Sequence, residues 1–103
     1  MDTFTVLADP TRRQIIESLC MGERAFGEIA EQFEMSRPAV SQHLKVLRDA
    51  DIVTVRAEAQ RRIYSLSDDA LEEVDEWLQK VRRYWLGRLD KLEQALRDEE
   101  ERT

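Results

Sequence analysis

Apolar residues recur along this chain at helical spacing, then at alternate positions, then at helical spacing again, and the elements follow from those changes of period. Phe4, Val6 and Leu7 predict a short helix over Asp2 to Ala8 with too few apolar members to bury themselves, so it needs a partner surface. Asp9-Pro10 restarts the chain: Asp9 can cap a helix whose first position suits proline. Ile15, Ile16, Leu19 and Cys20 form the inner face of this second helix, and Gly22 ends it. Phe26, Ile29, Ala30 and Phe33 predict a third helix to Phe33, followed by a turn at Glu34-Met35. A fourth helix runs from Ser36 to Ala50, with Ser36 as its cap, Pro38 in its first turn and Val40, Leu44 and Leu47 as a buried stripe.

Beyond Ala50 the period becomes two. Ile52 to Arg56 and Arg62 to Leu66 are β-rich runs around a polar turn at Glu58 to Arg61, which makes a hairpin of about residues 52–66. From Asp68 to about Leu96 the helical period returns, with Ser67 as its cap. Leu71, Val74, Leu78, Val81, Trp85, Leu89, Leu92 and Leu96 fall in a stripe about 80° wide, with Trp77 and Tyr84 beside it. Such a helix spans about 45 Å, more than so small a domain covers alone. The surplus apolar length calls for a second subunit.

The expected fold is mainly α with a small β-hairpin: a winged helix-turn-helix followed by a long C-terminal dimerisation helix. All 103 residues form one domain. Residues 10–66 are its DNA-binding core, 1–8 and 68–97 its dimerisation helices, and 98–103 an acidic, frayed tail. Phe4, Leu7, Leu71, Val74, Leu78, Val81, Trp85, Leu89 and Leu92 are the expected dimer contacts.

Charge narrows the choice of partner. The net charge of -6 argues at first against a polyanion. Its distribution reverses that: residues 36–67 carry six basic side chains against three acids, while both flanks are acidic. A DNA footprint therefore belongs to the middle third, which holds the fourth helix and the hairpin. On that helix Pro38, Gln42 and Lys45 point within roughly 50° of the direction opposite the buried stripe, with Ser41 and His43 on its shoulders. A short, polar, positive face suits a DNA major groove, although an ordinary solvated helix has the same pattern. Gln42 is the expected base reader, since its amide can pair with adenine through two hydrogen bonds. Arg37, Ser41 and His43 come next, and Lys45, Arg56, Arg61 and Arg62 hold phosphates or reach the minor groove. Arg12 and Arg13 stand in the first turn of the second helix, where its dipole disfavours cations, which leaves an external anion, a salt bridge or plain solvation as their partner.

Other chemistry has little support. One cysteine makes no intrachain disulfide, and no signal peptide or membrane-spanning run is present, so a cytoplasmic, non-membrane protein is expected. No nucleophile motif or Gly-rich phosphate loop points to an enzyme, and no cofactor is implied.

Together these residues resemble the ArsR-type family of bacterial winged-helix repressors. The similarity rests on Leu7-Ala8-Asp9-Pro10-Thr11-Arg12-Arg13, on Gly27-Glu28-Ile29-Ala30, on Ser36 to Ala50 with its Val-Ser-Gln-His-Leu core, and on Arg61 to Leu66, and it covers roughly residues 4–90. It implies a homodimer, joined through the first and last helices, that binds double-stranded DNA at an inverted-repeat operator and blocks transcription. Many such proteins sense metals through two cysteines in the third-helix box. Here Ala25 and Gly27 stand at those positions, and the last helix offers no histidine. The resemblance is therefore to the metal-independent branch, since one Cys and one His per chain cannot hold a soft metal. Cys20 and His43 are expected as a packing residue and a DNA-side residue. A second departure is Ala59, where such wings commonly carry glycine; a tight turn needing positive φ is strained there, and a wider wing tip is expected. The alternatives are a winged-helix dimer that makes protein contacts, or one controlled by a small molecule near Trp77, Tyr84 and Trp85 or by oxidation of Cys20.

Overall fold

A computed structural model describes residues 2–102. The chain divides into two compact units, one ending at Leu71 and one beginning at Glu72. The first contains α1 (Thr3–Leu7), α2 (Pro10–Cys20), β1 (Arg24–Ala25), α3 (Phe26–Ala30), α4 (Arg37–Asp49), β2 (Val53–Glu58) and β3 (Arg61–Leu66). The second is one helix, α5 (Glu72–Arg102).

Capping side chains explain where the helices of the first unit begin. Asp2, Asp9 and Ser36 each accept a hydrogen bond from the backbone N–H three residues on, at 2.8, 3.0 and 3.3 Å. Val6, Ile15, Ile29, Val40, Leu44 and Leu47, all at most 1% exposed, then pack with Ile52, Val53 and Tyr64 into one core. The amphipathic stripe of each helix is the part that is buried.

Helix α4 ends in a Schellman motif: the Ile52 N–H donates to the Leu47 carbonyl and the Asp51 N–H to that of Arg48. Asp51 supplies the left-handed residue the motif needs, at φ 60°. Ser67 closes the same corner, its hydroxyl donating to the Asp51 carbonyl at 2.6 Å.

Three expectations change. The third helix stops at Ala30 instead of Phe33, because Gln32 and Phe33 donate to carbonyls only three residues back and the chain turns to bring Phe33 and Met35 against the core. The long helix starts at Glu72, not Asp68. Ser67 is engaged at the α4–β2 corner, and Ala70 and Leu71 are drawn against the core of the first unit, so Leu71 is not part of the helical stripe. At its far end the acidic tail stays helical to Arg102, tied by Arg97 to Glu93 and Gln94 to Asp98.

The hairpin gains a third strand. β1 pairs antiparallel with β3, giving the order β1-β3-β2, with Arg24 opposite Tyr64 and Ala25 opposite Ile63. Two residues without a β-branched side chain give no pattern to find. The wing turn is the two-residue Ala59-Gln60, flanked by the Glu58–Arg61 pair. Ala59 adopts φ 57°, so the tip is tight and strained, not wider.

Candidate nucleic-acid interface

Strand parity decides which wing residues meet α4. Paired residues share a face of the sheet, and Val53, Val55, Tyr64 and Leu66 face the core. Arg62 has the same parity as Tyr64. It lies two residues nearer the tip, where the core has run out, and opens toward α4. Arg56, Glu58, Arg61 and Ile63 belong to the opposite face by parity, but at the tip the Arg61 side chain reaches Glu28 and lines the edge of the trough.

Between the wing and the helices lies a trough. Its larger part, about 600 Å³, is lined by Phe26, Glu28, Arg37, Ser41, Arg61 and Arg62 among others. A smaller part of about 300 Å³ follows α4 past Lys45 and Arg48. Ser41, Arg62 and Tyr64 line both, so the two parts run together along the outer face of α4.

On α4 the buried positions Val40, Leu44 and Leu47 fix the rotation of the helix, which leaves Arg37, Pro38, Ser41, Gln42 and Lys45 exposed. Arg37 is steadied by the Phe26 ring, its guanidinium carbon 5.8 Å from the ring centre. His43 is placed differently from its neighbours. Its side chain is only 23% exposed, and Nδ1 lies 3.9 Å from a carboxylate oxygen of Asp9 at the start of α2.

The wing arginines differ in their partners. Arg56 makes two hydrogen bonds to the Glu23 carboxylate and another to Glu58 at 3.0 Å. That pairing holds the Glu23 carboxyl below its ordinary range and raises the Arg56 guanidinium above its own. With two carboxylates on one guanidinium, Arg56 has no spare positive charge and is committed within the fold. Arg61 reaches Glu28 at 3.3 Å. Arg62 and Lys45 have no ion pair among the described residues and carry their charge into the trough.

Arg12 and Arg13 find their acceptors inside the protein, and Arg12 also lies 3.9 Å from the Asp9 carboxylate. Arg12 donates to the Val6 and Thr5 carbonyls at 2.8 and 3.3 Å, and Arg13 to the Leu7 carbonyl at 2.7 Å. These are last-turn carbonyls of α1, where helix geometry leaves acceptors unused and the dipole favours cations. Cations misplaced with respect to α2 are well placed for α1.

Tyr64 and Arg48 line the trough and were not among the expected site residues. Both were findable: Tyr64 shares the parity of Arg62, and Arg48 lies two turns beyond Ser41 on one face.

Cys20 is exposed, not packed on the inner face of α2. No group of three or more His, Cys, Asp or Glu among the described residues is arranged to hold a metal ion. Among those residues, too, no helix is long and apolar enough to cross a membrane. Of the expected dimer contacts, Phe4 is 40% exposed, Leu7 is half-buried beside the core, and Leu78, Trp85, Leu89 and Leu92 on α5 are each more than half exposed.

Comparison with known proteins agrees with this geometry. The sequence model of the family described as bacterial regulatory protein, arsR family, matches residues 9–55. The transcriptional repressor SdpR of Bacillus subtilis is 35% identical over 77 residues, 75% of this chain and 86% of that protein. The HTH-type transcriptional regulator Rv2034 of Mycobacterium tuberculosis is 50% identical over 68 residues, 66% of this chain and 64% of its own length. Among solved structures, a possible transcriptional regulator for arsenical resistance superposes with a TM-score of 0.73 at 36% identity, covering 89% of this chain and 93% of that one. The chain belongs to the arsR family of bacterial regulatory proteins and is a winged helix-turn-helix, DNA-binding transcriptional repressor.

Proposed function

We propose that this repressor acts as a homodimer on an inverted-repeat operator, without a metal signal, and that α4 and the wing hold the DNA. The observation that carries the reading is the trough along α4. The exposed polar face of a helix whose rotation is fixed by three buried residues meets the unpaired guanidinium of Arg62 across one opening.

In this reading Gln42 and Ser41 meet base edges, with Arg37 at the start of the helix, while Lys45, Arg48 and Arg62 meet phosphates on either side. His43 contributes through Asp9, holding the recognition helix against α2, and not through a base. The exposed apolar stripe of α5 supports the dimer: Trp85, Leu89, Leu92 and Leu96 are 56–58% exposed, and a second copy is the simplest cover for a face of that length. A two-fold dimer sets its recognition helices about 34 Å apart, one turn of the duplex. Metal independence is supported by the side chains at the thiol positions, Ala25 and Gly27, which offer no ligand.

The test is protection of the DNA upstream of the protein's own coding sequence by the purified protein, with and without added zinc. Two protected half-sites about one turn apart, unchanged by the metal, are expected. No protection at low salt, or release by zinc, would overturn the reading.

A further inference from the structure

Three arginines stand on the wing in three electrostatic states, and the middle one is informative. Arg56 is held through three hydrogen bonds by two carboxylates. Arg62 has no ion pair among the described residues. Arg61 meets one carboxylate, Glu28, through a single 3.3 Å contact, and both side chains are more than half exposed, 61% and 51%.

Glu28 itself is anchored. Its Oε1 also accepts the Ala25 N–H at 3.0 Å, which caps the first turn of α3 and fixes the carboxylate on the wall of the trough. A fixed acid facing a trough that also presents Arg37, Lys45, Arg48 and Arg62 opposes a polyanion unless it has another task.

We propose that Glu28 restrains a wing arginine: it parks Arg61 at the wall of the trough and competes with DNA for it, and the guanidinium transfers from this carboxylate to a phosphate when the duplex enters. The proposal rests on the reading of α4 and the wing as the DNA interface. A single long contact between two exposed side chains is weak, whereas an arginine–phosphate pair is charge-assisted and can be two-pronged. Exchange at Arg61 is therefore favourable. Exchange at Arg56 would strand two carboxylates, so Arg56 stays. The net gain from Arg61 is its phosphate contact less the contact to Glu28, and the carboxylate masks part of what Arg61 can contribute.

Glu28→Gln tests this, because the amide oxygen still accepts the Ala25 N–H while the charge is gone. Binding of a labelled mixed-sequence duplex of about 30 base pairs is followed by fluorescence anisotropy at several salt concentrations, long enough to fill the footprint of a dimer. E28Q is expected to bind tighter by roughly two- to five-fold for each protomer on the duplex, the range of an exposed ion pair. In an Arg61→Ala background the same substitution should lose most of that effect. Arg61→Ala should also cost more in E28Q than in the parent, and there lower the salt slope by about 0.9 for each protomer, one phosphate contact apiece and about 1.8 for the dimer. Equal tightening with and without Arg61 would mean that Glu28 simply repels DNA, and no tightening would mean that Arg61 is not restrained; either overturns the proposal. Arg62→Ala, run alongside, separates the two levels. If it weakens binding while Glu28 and Arg61 show no coupling, only the role of Glu28 is lost. If it changes nothing, the wing reading fails and this proposal fails with it.

Discussion

Arg12 donates from Nε to the carbonyl oxygen of Val6 at 2.8 Å, joining α2 to the end of a helix only five residues long. So short a helix is not stable alone, and its last carbonyls need partners. Arg12→Met keeps most of the apolar stem and removes the donors. It should lower stability by about 1–2 kcal/mol in urea denaturation, since hydrogen bonds from a charged group to a part-buried acceptor are at the strong end of the range. Arg13→Ala, at a more exposed carbonyl, should cost less than about 1 kcal/mol.

On the DNA side, Gln42→Ala and Arg62→Ala should fail in different ways. Loss of the amide should cost about 1–3 kcal/mol for each half-site and relax preference at one base pair in each. Loss of the guanidinium should weaken all sequences alike and flatten the salt dependence by about one phosphate contact for each protomer. Competition binding against operators with single changes distinguishes the two, and unchanged base preference in Gln42→Ala would remove it from the reader role.

Among the described residues, two other than glycine hold left-handed backbone, Ala59 at φ 57° and Asp51 at φ 60°. Alanine is strained there by about 1–2 kcal/mol, whereas aspartate tolerates the region better. Ala59→Gly should therefore raise stability by about 0.5–1 kcal/mol after the greater freedom of glycine in the unfolded chain is subtracted. Asp51→Gly should gain less. Thermal melts of the two variants give the order, and a destabilised Ala59→Gly would show that the turn is relaxed as it stands.

Acid should weaken the fold through three carboxylates. Burial pulls the Asp9 carboxyl upward, but the Arg12 amide, the nearby His43 and the Arg12 guanidinium overcome it, leaving Asp9 below its ordinary 3.8. The Thr5 amide lowers Asp2, and the Arg56 guanidinium lowers Glu23 below its ordinary 4.5. A lowered carboxyl stabilises the folded state fully above the unfolded value. As pH falls below about 4 the unfolded chain takes up protons first, and the contribution is lost by the time the folded carboxyl is protonated too. Urea midpoints should be flat from pH 7 to 5 and fall below about 4.5. Asp9→Asn, which keeps a capping oxygen without a charge, should make that fall shallower.

Much of this molecule was legible in its sequence because the signals were local. Ser36, Asp9 and Pro10 mark helix starts whatever surrounds them, and Val40, Leu44 and Leu47 fix the rotation of α4, which is why Ser41, Gln42 and Lys45 emerge exposed as expected. What escaped depended on partners distant in the chain. The pairing of Arg56 with Glu23 spans 33 residues, so no window along the chain shows that this arginine is neutralised. Ser67 looked like a cap because the competing acceptors, the carbonyls of Asp51 and Ile52, are brought to it only by the closed sheet. The angle of His43 on the helix wheel is intermediate, and only the packing of α2 on α4 gives it Asp9 as a neighbour.

The alternation along β3 sets a rule for how the wing can evolve. Arg61 and Arg62 are adjacent in sequence but belong to opposite faces, one toward Glu28 and one in line with Tyr64. Inserting or deleting a single residue between Arg62 and Tyr64 would turn Arg62 away from the face it shares with Tyr64 and bring Arg61 onto that face, away from Glu28. Relatives that keep the trough should therefore vary in wing length by pairs of residues, one added to each strand beyond Arg61, and seldom by one residue within β3.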